Sequence, residues 1–446
     1  MTFQANSKFS LSFFAKLRIY PYLCRMKIAI IGAGAAGCFC AINVKRMLQD
    51  AIVEVFEANQ KPLAKVAITG GGRCNLTNTF RDVKSLQHTY PRGHKLMKRL
   101  FHQLDQQQLM AWFEQEGVKL TVQEDQCVFP ASQDAMEIVN TLVSAMRRER
   151  VILSCGQRVI EINEEGSKYR VSTESRSNVY DAVVVTTGGS PKITGLDFLA
   201  PLHLETEPPI PSLFTFKIND PITQLMGVVV EETVATLAGT KMKAEGPLLI
   251  THWGMSGPAI LKLSSQAARH LAECNYKAQL NVNWLNGQNE DSVREQLETL
   301  MADNPQKQIG SVHLTTDHKL KTGATSPLTS RLWNYLLEKS GIAPERRCAE
   351  VGRKQINKLA SVLTCDTYAL AGQSRFKEEF VTCGGVALSN IDPNTLQCRQ
   401  HPGLYFAGEV LDVDAITGGF NLQAAWTMGY VVAQNLAALS ADGAVK

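Results

Sequence analysis

No stretch of this chain approaches the ~18 to 20 uninterrupted apolar residues that a membrane-spanning helix needs, so no membrane partner is expected. Low-complexity runs are also missing, and 44% hydrophobic with 20% charged residues is the composition of a globular protein with a large core. Charge of one sign is scarce. The formal charge is +4, but four of the 46 lysines and arginines (Lys8, Lys16, Arg18, Arg25) fall in the first 25 residues, which hold no acid, leaving 42 basic against 42 acidic residues beyond them. A balanced body lacks the basic stripe that phosphate-dominated binding requires, so no nucleic acid is expected as a partner. No CxxC occurs among the eleven cysteines. Their odd number and scatter exclude a disulfide framework, give no metal site, and point to a reducing cytoplasm. Lys16 and Arg18 interrupt the apolar character of the first 25 residues, and no small-residue cleavage site follows them. That segment is expected to be a disordered extension rather than a targeting signal. No sequence feature marks an oligomeric state.

What is present is concentrated in residues 26 to 57. An apolar run, Ile28 to Ile31, leads into Gly32-Ala33-Gly34-Ala35-Ala36-Gly37, and a second run, Ile52 to Phe56, ends at Glu57. This is a dinucleotide-binding fingerprint in its full strand, helix, strand and acid context. Gly32 permits the tight turn, Gly34 lets backbone approach a pyrophosphate, and Gly37 lets helix pack on strand, while the helix N-terminus stabilises the phosphates. Glu57 is placed to accept from the hydroxyls of an adenosine ribose. Only one such fingerprint occurs, so a separate nicotinamide-nucleotide domain is not expected.

Downstream, Thr69-Gly70-Gly71-Gly72-Arg73-Cys74-Asn75 holds three consecutive glycines, whose entropic cost points to left-handed backbone or close approach to a ligand. Residues 95 to 150 read as helical, with Leu109, Trp112 and Phe113 on one apolar face and Met136, Val139, Val143 and Met146 on another. Strands are expected at Val151 to Leu153, Arg158 to Ile162 and Tyr169 to Ser172. The buried run Ala182 to Val185 ends in the turn Thr186-Thr187-Gly188-Gly189. From about 192 the prolines at 201, 208, 209, 211 and 221 break the chain, and short alternating segments suggest an inserted antiparallel barrel with a helical subdomain at about 288–345. The last strand, Leu404 to Ala407, runs into Gly408-Glu409, and Gly418-Gly419-Phe420-Asn421-Leu422 opens a final helix.

The expected architecture is therefore α/β: a discontinuous Rossmann-like domain (26–191 and 364–446) around an inserted barrel-like domain (192–363). Glu409, an acid after a strand-end glycine, suits the ribityl chain of a flavin, and the amides after Gly419 suit its pyrimidine carbonyl. Taken together, GAGAAG, TGGGRCNLTN, THWGMSGPAIL, VTCGGVAL and LYFAGEVLDVDAITGGFNLQAA resemble the BaiN/YhiN-type flavoprotein family of NAD(P)/FAD-dependent, aminoacetone-oxidase-like oxidoreductases, over about 26 to 440. The resemblance implies FAD as cofactor. It assigns contacts with FAD to Ala35, Ala36, Glu57, Lys65, Asn75, Val159, Glu409, Asn421 and Leu422, to which the glycine patterns add Gly32, Gly34, Gly37, Gly72, Gly408 and Gly419.

For chemistry beyond the cofactor, His252 in Thr251-His252-Trp253-Gly254 and Arg73 in the glycine loop are the candidates, since hydride chemistry at carbon needs a proton donor or acceptor. The competing readings are a structural histidine and a loop-bracing arginine. The function expected is an FAD-dependent oxidoreductase passing a hydride between flavin N5 and a small organic substrate, with NAD(P)H as a transient donor. A flavin-binding RNA-modifying protein and a non-catalytic flavin sensor are the alternatives.

Overall fold

The computed structural model describes residues 25–314, 328–373 and 381–443; the extension expected at 1–25 lies outside them except for Arg25. The opening strand Lys27–Ile31 is flanked in parallel by Ala182–Val185 on one side and Ile52–Glu57 on the other. Leu404–Phe406 and Ile152–Cys155 complete a five-stranded sheet at its two edges. Both faces are covered, which is why Ile28, Ala29 and Ile30 and the valines at 183 to 185 are all buried and apolar. Successive strands lie to either side of the first, so the crevice beyond its carboxyl end is the switch point where nucleotides bind in such sheets.

The second body is a closed six-stranded antiparallel barrel, running in order Phe216–Ile218, Gly254–Ser256, Lys243–Ile250, Val229–Leu237, Gln279–Asn283 and Asp366–Gln373. Closure removes free strand edges. Helices Glu290–Asp303, Ser330–Lys339 and Arg353–Thr364 lie between its last two strands. The second of them is pinned to it by a polar knot in which Lys339 pairs with Asp366 at 2.5 Å, while the Trp284 indole donates to the same carboxylate at 3.1 Å. Each body has its own apolar core. Two strands join the bodies, Thr206–Ser212 antiparallel to Val381–Val386.

The structure departs from the sequence reading at several points, among them the barrel's last strand, Asp366–Gln373, which lies beyond the 192–363 expected for the inserted domain. Residues 95 to 150 are not wholly helical: a hairpin, Leu120–Val122 with Cys127–Pro130, separates helix Gln106–Gln115 from helix Ala135–Arg148. Its strands are too short to show a period of two. Met136, expected in the core, is 43% exposed, because the buried face of its helix runs through Ile138, Leu142 and Ala145. The proline-rich 206–212 is a strand rather than a break. It belongs to a two-stranded sheet, and its pairing is irregular between Glu207 and Ile210, around Pro208 and Pro209, where prolines that donate nothing to a ladder are tolerated.

One buried carboxylate braces the sheet. Glu54 accepts from Tyr180 Oη at 2.6 Å, Ser154 Oγ at 2.7 Å and Arg176. Burial pushes its pKa up, but these three donors outweigh burial and hold it below the ordinary 4.5. A depressed folded pKa makes the contribution present above the unfolded value and lost as pH falls through the folded one. Tyr180→Phe is therefore expected to cost about 1.5 to 3 kcal/mol at neutral pH. The gap from the parent protein should narrow in thermal melts taken as pH drops below 4.5.

Candidate functional site

The fingerprint folds as its glycines require. Gly32 takes φ +108°, and a Cβ there would lie 2.6 Å from Thr186 O. At Gly37 a Cβ would lie 2.0 Å from Gly32 O and 2.5 Å from Thr186 Oγ1. Thr186, passed over as a candidate, explains this crowding: its hydroxyl lies within hydrogen-bonding distance of Ile31 O at 3.0 Å and Gly32 O at 2.8 Å, tying two strands at the turn. Gly34 differs. It caps helix Ala35–Met47, and a Cβ there would meet nothing within 4 Å. The helix N-terminus thus opens onto free space with no acid in its first turn, a cradle suited to a pyrophosphate.

Glu57 lies beside this cradle, accepting from Ala33 N at 3.0 Å and from Asn59 N and Nδ2 at 2.8 Å. Those donors hold the carboxylate at the strand end, and each oxygen keeps acceptor capacity for a hydroxyl. Gln157 N donates to Glu57 O at 2.8 Å, which sets the buried Val159, at the start of strand Val159–Glu165, two residues from that strand end.

The C-terminal segments close on the same helix. Gly408 takes φ +83°, with the Ala36 Cβ 3.1 Å from where its own would lie. In the final helix, Phe420–Gly443, a Cβ on Gly429 would stand 2.6 Å from Ala36 O. Glu409 accepts from Thr382 N at 2.7 Å and faces the exposed Lys65 at 3.6 Å. The triple-glycine loop meets the final helix: Gly70, Gly71 and Gly72 have φ of 59°, 70° and 82°, and nothing lies within 4 Å of a Cβ at Gly71 or Gly72. With the amide of Asn75 turned to suit its neighbours, it accepts from Gly419 N at 3.2 Å and donates to Thr77 O at 3.0 Å. Asn78 donates to Gly418 O at 3.1 Å.

At the final helix, Asn421 uses its side chain locally, accepting from Ala415 N at 2.8 Å and donating to Ala415 O at 2.9 Å. The first bond within the helix runs from Gln423 N to Gly419 O, so the amides of Phe420, Asn421 and Leu422 point out of its N-terminus. Tyr90 Oη donates to Phe420 O at 2.8 Å.

The two catalytic candidates are placed differently. The Arg73 side chain is held inside its loop, with Nε donating to Gly70 O at 3.0 Å and the guanidinium 4.5 Å from the centre of the Phe129 ring. His252 is exposed on the barrel and packs on Trp253 with ring centres 4.1 Å apart. The structure records no contact between His252 and any of the residues gathered above. Burial pushes the Cys74 thiol up to about 12 and the Cys383 thiol to about 11, so both stay protonated near neutrality. A sequence reading had no means to find the buried pair of Arg92 with Asp414, which are far apart along the chain and lie where the two bodies meet.

The HI0933-like protein Rossmann domain family matches residues 26–435. A 3-dehydro-bile acid delta(4,6)-reductase from Clostridium scindens is 28% identical over 414 residues, covering 91% of this chain and 97% of the relative. A ribosomal RNA dihydrouridine synthase from Escherichia coli is 27% identical over 433 residues, covering 93% and 98%. One of the same name from Haemophilus influenzae is 27% identical, covering 91% and 97%. Among the described residues no helix is long and apolar enough to cross a membrane.

The two cradle glycines separate binding from folding. Gly34→Ala adds a methyl group to open space and should leave the melting temperature of the cofactor-free protein unchanged, while FAD affinity falls roughly tenfold or more in fluorescence titrations. Gly37→Ala should instead destabilise the fold itself, by about 1 to 3 kcal/mol or more, because the strand turn must move.

Proposed function

We propose, from the premise that the chain belongs to the HI0933-like Rossmann family of FAD-dependent oxidoreductases, that it reduces a carbon–carbon double bond conjugated to a carbonyl group in a small organic substrate. One observation carries the reading: the free amides of Phe420, Asn421 and Leu422, anchored through Gly419 to Asn75, open the helix whose Asn421 holds Ala415, the residue next to the Asp414–Arg92 pair where the barrel body meets the sheet body. The relatives' names support the bond type. A bile acid delta(4,6)-reductase and a dihydrouridine synthase act on different molecules, yet each name describes the loss of a double bond in conjugation with a carbonyl.

FAD, when bound, supplies hydride transfer. The amides of Ala35, Ala36 and Gly37 would hold its pyrophosphate, and Glu57 would accept from its ribose hydroxyls. Glu409, steadied by Thr382 N and paired with Lys65, would hold the ribityl hydroxyls. The amides of Phe420, Asn421 and Leu422 would donate to the pyrimidine edge, where a helix N-terminus stabilises negative charge. NAD(P)H serves as electron donor by transient approach, since the chain carries a single dinucleotide fingerprint. The substrate enters between the two bodies.

An RNA substrate is the second reading, favoured by a local charge excess that the neutral total conceals. Between residues 81 and 102 lie six lysines and arginines and one acid, Asp82. Arg81, Lys84, Lys95, Lys98 and Arg99 are exposed, and the segment abuts the final helix through Tyr90 and the turn before that helix through Ile416 N donating to Thr89 O at 2.9 Å. Phosphate contacts from such a stretch would make binding steeply salt-dependent.

Stopped-flow absorbance tests the function. The purified holoprotein should be yellow, its flavin bleached by NADPH or NADH without oxygen, and its colour restored by enones. A flavin that no nicotinamide reduces would remove the reductase reading. Recolouring by uridine-containing RNA alone, lost between low and physiological salt, would replace the small molecule with RNA.

A further inference from the structure

The two bodies are tied by a side chain that the flavin reading does not use. Arg92 follows Tyr90-Pro91 and precedes Gly93, which takes φ +81° with Val413 side-chain atoms from 2.7 Å of its would-be Cβ. This tight approach pairs the backbones of Arg92 and Asp414. The Arg92 guanidinium then makes a two-pronged ion pair with Asp414, whose side chain is 0% exposed. Its remaining donors leave the sheet body: Nη1 donates to Ser265 O at 2.7 Å, and Nη2 lies 3.5 Å from both Ser212 Oγ and Ser265 Oγ. Ser212 Oγ in turn donates to Asp414 Oδ2 at 2.9 Å.

Ser265 belongs to barrel helix Pro258–Gln266, and Ser212 ends one of the two strands that cross between the bodies. On the other side of Arg92, Asp414 is followed by Ala415, whose N–H and carbonyl are both held by the Asn421 side chain at the final helix N-terminus. A short chain of contacts thus runs from barrel helix to Arg92, Asp414, Ala415 and Asn421. A second link runs beside it: Arg269, in the next barrel helix, donates to Asp412 at 2.7 Å, and Asp412 accepts from Gly384 N on the other crossing strand at 3.1 Å. An ion pair this buried contributes little net stability over an apolar replacement, but removing one partner strands a charge. Its value lies in geometry.

We propose that Arg92 is a positioning residue that fixes the distance between the barrel helix Pro258–Gln266 and the flavin-facing N-terminus of the final helix. The inference rests on the flavin reading above for the identity of what is faced, while the latch itself rests on the contacts alone. A planar guanidinium spans Asp414 and the Ser265 carbonyl at once, which a lysine, a single point of charge, does not. Without the span, the barrel body moves relative to the final helix and the cleft becomes wetter.

Arg92→Met and Arg92→Lys in the FAD-loaded full chain, with Ser265→Ala as control, test this. The adenosine half of the site is untouched, so FAD content should stay near that of the parent protein. Iodide quenching of flavin fluorescence should rise at least about threefold in Arg92→Met and by an intermediate amount in Arg92→Lys. Ser265→Ala keeps the backbone carbonyl that accepts from Arg92 and should match the parent. Amide hydrogen exchange in 206–212 and 258–266 should quicken in the same order, a readout that needs no flavin. Should Arg92→Met fail to fold, Arg92→Lys, which keeps a cation beside Asp414, still reports. Parent-like quenching and exchange in the folded Arg92 variants would overturn the inference. A parent protein that takes up no FAD would overturn the flavin reading while leaving the exchange result to judge the latch.

Discussion

The site depends on the final helix lying against the backbone of the opening helix. Gly429 permits it: a side chain there would run into Ala36 O, one residue from the helix end that faces the pyrophosphate cradle. Gly408 makes a second close approach, to the Ala36 side chain. Around these contacts Phe39, Trp112, Phe113 and Trp426 form a buried aromatic cluster with ring centres 4.6 to 6.2 Å apart, joining both chain ends to the helix between them. Rings at such spacings add to the area they bury, so the cluster opposes separation of the two ends. The N-termini of two helices from opposite ends of the chain are thereby fixed in one body. One faces the cradle, and the other is held to the triple-glycine loop by Asn75 and Asn78.

Much of this was legible in the sequence where the physics is local. A tight strand-to-helix turn needs glycine at position 32, and close helix packing needs it at 37; both demands show in the letters because they act within a few residues. The triple glycine likewise signals its left-handed backbone. The α/β class, the inserted barrel and the family resemblance are borne out. What stayed hidden involves partners far apart in the chain. Nothing near Gly429 announces Ala36, and no pattern couples Arg92 to Asp414. The hairpin at 120–130 leaves no alternation to read, because each strand has only three or four residues. The strand at 206–212 is masked by prolines that read as breaks, although an edge strand accommodates them.

Charge gave the other lesson. A body with equal numbers of acids and bases has no overall footprint for nucleic acid, but five exposed cations between residues 81 and 99 lie on the segment that touches the final helix. A total conceals what placement exposes. The same holds for the two catalytic candidates: Arg73 is committed to its own loop carbonyl and to Phe129, and His252 sits on the barrel surface against Trp253. The polar groups that do converge are mainly backbone amides at helix ends and the two acids, Glu57 and Glu409, steadied by neighbouring donors. Helix-end amides and steadied acids of this kind are the groups that suit a dinucleotide cofactor.

Titration of the cofactor-free protein with FAD and, separately, with FMN tests that claim most directly. If the cradle at Gly34 and Glu57 and the N-terminus of the final helix grip one molecule together, FAD should saturate at one equivalent and bind at least about 100-fold more tightly than FMN, which lacks the adenosine half. Equal affinity for the two flavins, or no saturation with FAD, would contradict the account.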